Sequence, residues 1–297
     1  MKLFATIIAL AGVFAASAQT HQETNISKWQ FSQTGAEWKA VTVPHDWAIS
    51  GPFDKKWDLQ VVAIKENGED KPTEHSGRSG SLPWIGKGFY KTTIHIAEGT
   101  AYAELKFDGA MAAPEVSVNG KKAGHWAYGY NAFRVDITPY IHTGDNLIEV
   151  VLENEEESNR WYPGGGIYRP VTLITHANKS RLDLWGLQMQ TLSIDGGSAL
   201  IDIRHEGKDI PAGAMLKVSV TDKVGKVVAN ASSPADGMGG FHTQVSIANP
   251  QLWSPETPYL YDVKLSLVVD GKTLDVQHQK LGVRTVKFSA EGGFQLN

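Results

Sequence analysis

The run Ala101-Tyr-Ala-Glu-Leu-Lys-Phe107 alternates strictly, with Ala103, Leu105 and Phe107 on one face and Tyr102, Glu104 and Lys106 on the other. A period of two marks a half-buried β-strand, because successive side chains on an extended backbone point to opposite sides. A few residues on, Val116-Ser117-Val118 leads into Asn119-Gly120, and both turn residues tolerate the positive φ of a tight hairpin. Asn146 to Leu152 supplies another strand, bracketed by Gly144-Asp145 and Glu155-Glu156-Glu157, and Val171 to Ile174 one more. No segment carries a sustained apolar stripe at helical spacing. The chain is expected to be all-β.

The same patterning resumes after Ser180. Ile201 and Ile203 alternate against Asp202 and Arg204, and Leu216, Val218 and Val220 against Lys217, Ser219 and Thr221. Val263, Leu265 and Leu267 repeat it before Asp270-Gly271, a second hairpin signal, with Thr273 to Val276 as the return strand. Short strands with turn signals every ten or so residues predict an immunoglobulin-like sandwich for this half. Ala177 to Ser180 interrupts the apolar pattern, which places a boundary there and predicts domains at 19–178 and 179–297.

At the N-terminus, Lys2 precedes an apolar run from Leu3 to Ala16, and Ala16-Ser17-Ala18 offers small residues ahead of Gln19. This reads as a secretory signal over residues 1–18, cleaved near Ala18-Gln19, with a periplasmic or extracellular product and no membrane anchor after cleavage. A length of 297 residues accommodates two domains with their own cores. The net charge of −4 and the dispersed basic residues exclude the positive stripe that nucleic acid requires. Cysteine is absent, which removes disulfides, thiolate metal sites and cysteine nucleophiles together. Stability must come from packing.

The densest motif is Ser158-Asn-Arg-Trp-Tyr-Pro-Gly-Gly-Gly-Ile-Tyr-Arg169, which gathers aromatic rings, two arginines and a glycine hinge where a loop meets a strand. It belongs to an ordered series. The others are VPHDWAISGPFD (43–54), GKGFYKTTI (86–94), KFDGAMAAPEVSVNGKKAGHWAYGYNAFRVDIT (106–138), NPQLWSPETPYLYDV (249–263), LGVRTVKF (281–288) and GGFQLN (292–297). From Trp38 to Asn297 the series resembles the non-catalytic front half of glycoside hydrolase family 2, most closely the exported β-galactosidases of Bacteroides-like bacteria. The resemblance implies a jelly-roll, galactose-binding-like sandwich followed by the immunoglobulin-like one. It implies also that a (β/α)8 barrel, carrying both catalytic glutamates, follows in complete members and is missing from this chain.

A retaining glycosidase needs two carboxyl groups about 5 Å apart facing one sugar, and no motif here supplies them. Glu155-Glu156-Glu157 reads as a solvated acidic loop, since neighbours on an extended chain point in opposite directions. His45-Asp46 suggests a base with its orienting acid, yet sequence neighbours seldom adopt that geometry; the structural reading is a turn set by Pro44 with Trp47 packed beneath. No catalytic residue is therefore expected in the chain. Arg160, Trp161 and Tyr162 are the candidate substrate-binding residues, the rings to stack on a pyranose and the guanidinium to donate to hydroxyls. A packing role for them stays open. Family branches that bind sodium use an aspartate before the G-I-aromatic-R element where Ser158 stands here, so neither a metal nor a cofactor is expected. The polar insertion from Asp58 to Trp84 offers His75, Arg78 and Trp84 as further candidate contacts. Arg284 is expected to form an interdomain ion pair or hydrogen bonds near the barrel.

Three functions follow. The chain is the accessory portion of an exported retaining β-glycosidase, inactive alone, whose partners are a terminal β-galactoside and the missing barrel; or it is a stand-alone carbohydrate-binding protein; or it is a scaffold that self-associates as a homo-oligomer.

Overall fold

The computed structural model describes residues 21–50, 53–57, 65, 68, 70–71, 83–155 and 164–297. The signal read at 1–18 lies outside the described residues. Among those residues there is no α-helix, and no helix is long and apolar enough to cross a membrane. The chain is an all-β protein of two sandwiches.

The first comprises β1 (His21–Asn25), β2 (Lys28–Ser32), β3 (Lys39–Thr42), β4 (Lys87–Ile96), β5 (Tyr102–Phe107), β6 (Glu115–Val118), β7 (Lys121–His125), β8 (Phe133–Asp136), β9 (Gly144–Glu153) and β10 (Val171–His176). They form two antiparallel sheets, ordered β3-β2-β4-β9-β6-β7 and β1-β10-β5-β8, and the crossovers between non-consecutive strands give the jelly-roll arrangement. In β9 the period of two is complete: Asn146, Ile148, Val150 and Leu152 are fully buried while Leu147 and Glu149 are not. Asn146 tolerates the core because its amide is satisfied. Its Nδ2 donates to His142 O and Gly144 O, and its Oδ1 accepts from His142 N and Asn119 Nδ2. The predicted turn follows β6, with φ of 51° at Asn119 and 75° at Gly120.

The second sandwich comprises β11 (Arg181–Leu182), β12 (Gln188–Asp195), β13 (Ser198–Lys208), β14 (Met215–Thr221), β15 (Val227–Pro234), β16 (Gly240–Ala248), β17 (Tyr261–Val269) and β18 (Lys272–Leu281). One sheet centres on β13, which pairs with β11, β12 and β16; the other runs β15-β14-β17-β18. The apolar sets read from the sequence, Ile201 with Ile203, Leu216 to Val220 and Val263 to Leu267, all face the core between them. Side chains of this kind contribute about 1.5–3 kcal/mol each when fully buried. A hairpin of β19 (Val286–Ser289) and β20 (Gly293–Leu296) follows and leaves Phe288 and Phe294 exposed.

In one respect the alternation of β5 misleads. Tyr102 and Glu104, expected on a solvated face, are buried. The second sandwich covers them. Tyr102 Oη donates to Glu104 Oε2 at 2.9 Å, and the Arg181 guanidinium lies 3.4 Å from the Tyr102 ring centroid. Arg134 reaches Asp183 at 2.9 Å and Glu104 at 3.5 Å while stacking on Trp185. Burial, and then the Glu104 charge, push the Tyr102 hydroxyl pKa up. The junction between the sandwiches is thus built from paired charges and aromatic faces.

Candidate functional site

The loop carrying Arg160, Trp161 and Tyr162 lies outside the described residues, as do Ser158, His75 and Arg78. The root of that loop is described. At its start, Asn154 N donates to Gly86 O at 3.1 Å, and Asn154 Nδ2 donates to Gly164 O at 2.7 Å, pinching the loop shut. Asn154 Oδ1 is buried without a hydrogen-bond partner among the described residues, an open acceptor at the foot of the loop.

At its end, the triple glycine lies against the segment 45–47. Trp47 N donates to Gly165 O at 3.0 Å, His45 N to Ile167 O at 2.8 Å, and Gly166 exchanges two backbone bonds of 2.9 Å with Met111. Asp46 Oδ1 accepts from Gly165 N at 3.2 Å and from Ala48 N at 2.9 Å. The glycines are required by contact. A Cβ on Gly165 would meet the Trp47 indole at 2.3 Å, and one on Gly166, whose φ is +111°, would meet Tyr90 Oη at 2.4 Å and His45 O at 2.5 Å.

His45 and Asp46 accordingly do structural work, as expected. His45 Nδ1 shares a 2.7 Å hydrogen bond with Tyr90 Oη. Burial, reinforced by Lys39, pushes the His45 pKa down, and burial pushes that of Tyr90 up. Trp47 is buried among Phe31, Trp84 and Tyr90 and donates its indole N–H to Trp84 O at 3.3 Å. Trp84, a candidate contact from the sequence, forms a wall of this aromatic cluster, and an antiparallel bridge from Phe53 to Pro83 closes the base of its insertion. Glu155 is exposed beside the root. Arg284 stacks on Trp253 of its own sandwich, 4.7 Å from the ring centroid.

Sequence reasoning passed over the neighbouring aromatic patch. Trp126, Tyr128 and Tyr130 are exposed at 38%, 58% and 44%, between β7 and β8, beside the strand of sequence that leaves the glycine root. Tyr168 Oη donates to Gly129 O at 2.8 Å, tying patch and root together. Trp126 stacks on buried Phe133 and donates its indole N–H to Asn131 Oδ1. The available signal was three aromatics at alternate positions from 126 to 130. Such rings offer flat apolar faces with polar edges, the surface on which a pyranose can stack.

Two sandwiches in series, with an anchored loop on the first, match known domains along almost the whole chain. Residues 7–177 match the sugar binding domain of glycosyl hydrolases family 2, and residues 186–284 match a second domain of glycosyl hydrolases family 2. The chain belongs to glycosyl hydrolase family 2. Its relatives include a β-galactosidase from Bacteroides ovatus, 31% identical over 272 residues, covering 88% of this chain and 30% of that protein. A β-glucuronidase from Bacteroides fragilis is 30% identical over 300 residues, covering 91% of this chain and 39% of that protein. The solved structure of a family 2 member from Bacteroides cellulosilyticus superposes with a TM-score of 0.78 at 28% identity, over 93% of this chain and 37% of that one. The chain therefore spans well under half the length of these relatives.

Proposed function

We propose that this chain is the sugar-facing accessory portion of an exported retaining β-glycosidase that acts on terminal β-galactosides, with Arg160, Trp161 and Tyr162 forming one wall of the substrate pocket. The observation that carries the reading is the loop root. Asn154, Asp46, Trp47 and Met111 fix both ends of the loop against a buried aromatic cluster, and this anchored base lies beside the segment carrying Trp126, Tyr128 and Tyr130. A stiff base favours binding because less loop entropy is lost when sugar arrives. The paired carboxylates that retention demands are assigned to the catalytic barrel that the family resemblance implies. The similarity to a β-galactosidase over 88% of the chain supports the galactoside, and the resemblance of residues 1–18 to a signal supports export.

Residues 19–297 are expected to show no turnover of nitrophenyl β-galactoside or β-glucuronide. Robust hydrolysis by a clean preparation overturns the assignment of the chemistry to residues beyond this chain. In an enzyme that joins this chain to a family 2 catalytic barrel, Trp161→Ala is expected to raise KM for the galactoside several-fold with little change in kcat. Faster hydrolysis of the glucuronide than of the galactoside refutes the substrate. The exposed aromatic patch also favours a second reading, a carbohydrate-binding protein; calorimetry of residues 19–297 with galactosides separates the two, since that reading requires unaided binding.

A further inference from the structure

His21 and His176 sit directly opposite one another on β1 and β10, their rings stacked with centroids 5.1 Å apart. Asp275, on β18 of the other sandwich, faces both. Its carboxylate is fully buried, with Oδ1 at 3.2 Å from His21 Nδ1 and Oδ2 at 3.7 Å from His176 Nδ1. One donor atom from each residue lies within 4.8 Å of the other two. His176 is 94% buried by its 6% exposure, and its Nδ1 has no hydrogen-bond partner. An unpartnered buried ring nitrogen is costly, and native interiors rarely keep one without a purpose.

We propose that these three side chains form a binding site for a late transition-metal cation, zinc above all, that clamps the two sandwiches together. Two imidazole nitrogens and one carboxylate oxygen suit zinc and its neighbours and do not suit calcium or magnesium, which take oxygen ligands. At zinc bond lengths, tetrahedral donors lie about 3.4 Å apart; the His21 and His176 nitrogens lie 3.2 and 3.7 Å from the two different oxygens of Asp275, and one donor atom from each residue lies within 4.8 Å of the other two. Moving the rings and the carboxylate toward one centre would bring three donors to zinc distance, with water as the fourth ligand. The surroundings match those of ligands held in place by outer partners. Asp275 accepts backbone N–H bonds of 2.9 Å from Leu182 and from Val276, and the far nitrogen of His21 faces Glu23 at 3.5 Å. The nearby cation, Arg181, is engaged by Tyr102, Lys179 O and Asp209. Because the ligands come from both sandwiches, the metal stabilises their junction rather than either core.

The test uses the purified chain after chelator treatment, titrated with Zn2+ by calorimetry and with Co2+ by visible absorption. One equivalent of zinc, a tetrahedral cobalt spectrum and a higher Tm with zinc are expected, with no Tm change on adding Ca2+. His176→Ala is expected to weaken zinc binding at least about tenfold, and His21→Ala, at a less buried site, to do the same if the first variant fails to fold. His95→Ala removes an exposed histidine paired with Asp145 and is expected to leave binding intact. The proposal is overturned by the absence of stoichiometric zinc binding, by undiminished binding in folded His176→Ala or His21→Ala, or by loss of binding in His95→Ala.

Discussion

Gly165→Ala isolates one contact on which the loop root depends. Gly165 has a negative φ, unlike Gly164 and Gly166, so alanine fits its backbone and only the added methyl is at issue. That methyl would lie 2.3 Å from Trp47 Cε2 and Nε1, where relaxed heavy-atom contacts are about 3.5–4.0 Å. The indole must therefore retreat by more than about 1 Å. It has nowhere to go, because a methyl on Gly88 would meet its other side at 2.2 Å and the rings of Phe31 and Trp84 stand 5.6 and 5.2 Å away. Overpacking of a tight core costs about 1–3 kcal/mol, offset by about 0.4–1 kcal/mol from the stiffer unfolded chain. A net loss of about 1.3 kcal/mol lowers Tm by roughly 3–5 °C for a domain of this size. Calorimetry on the single variants and on Gly165→Ala/Trp47→Phe closes a double-mutant cycle. The smaller ring should relieve most of the clash, giving a coupling of about 1.5 kcal/mol. An unchanged Tm for Gly165→Ala, or an equal loss in both backgrounds, refutes the steric account of the triple glycine.

Two further perturbations address the second sandwich and its junction. Arg134→Met removes the guanidinium bound to Asp183 and Glu104 and leaves Lys208, at 3.2 Å from Asp183, as the remaining cation there; a loss of about 2 kcal/mol in urea unfolding is expected, and a loss below about 0.5 kcal/mol, the range of inert surface changes, contradicts the role given to this pair. The hydrogen bond from His242 at 2.6 Å, with those from Gln244 and Arg204, holds the Asp202 carboxyl at about 2. A folded value below the unfolded one, about 3.9, gives a contribution that is complete above roughly pH 4 and lost as pH falls towards 2. His242→Phe should raise the Asp202 value in an NMR titration and shift the acid-unfolding midpoint upwards; an unmoved Asp202 titration rules this out.

The strands were legible wherever one face alone is buried. Ile148 to Leu152, Leu216 to Val220 and Val263 to Leu267 each announce a core face by period, and Asn119-Gly120 and Asp270-Gly271 announce their turns by tolerating positive φ. Period could not report the covering of a polar face. Tyr102 and Glu104 belong to the hydrophilic side of β5, and only Arg134, Arg181 and Asp183, from distant parts of the chain, make their burial affordable in electrostatic terms. The His21, His176 and Asp275 group was hidden for the same reason. Its first and last members are 254 residues apart in sequence and meet only because two sandwiches dock.

At the candidate site, the glycines of Gly164 to Gly166 were visible as a hinge, and the structure reverses that sense: they let Trp47 and Tyr90 grip the backbone, so the element is an anchor. Composition signals where a side chain is absent, and only geometry says whether the space is left for motion or for a neighbour. The anchor bonds from Asp46, Trp47, Met111 and Asn154 all arise within the first sandwich, so the loop root is preorganised by this chain alone. Stability and sugar affinity should therefore separate along the loop. Changes at the root, such as Gly165→Ala, alter both, because displacing the base moves whatever the tip presents. Changes at Trp161 or Tyr162 should act on affinity while leaving the buried cluster at the root intact.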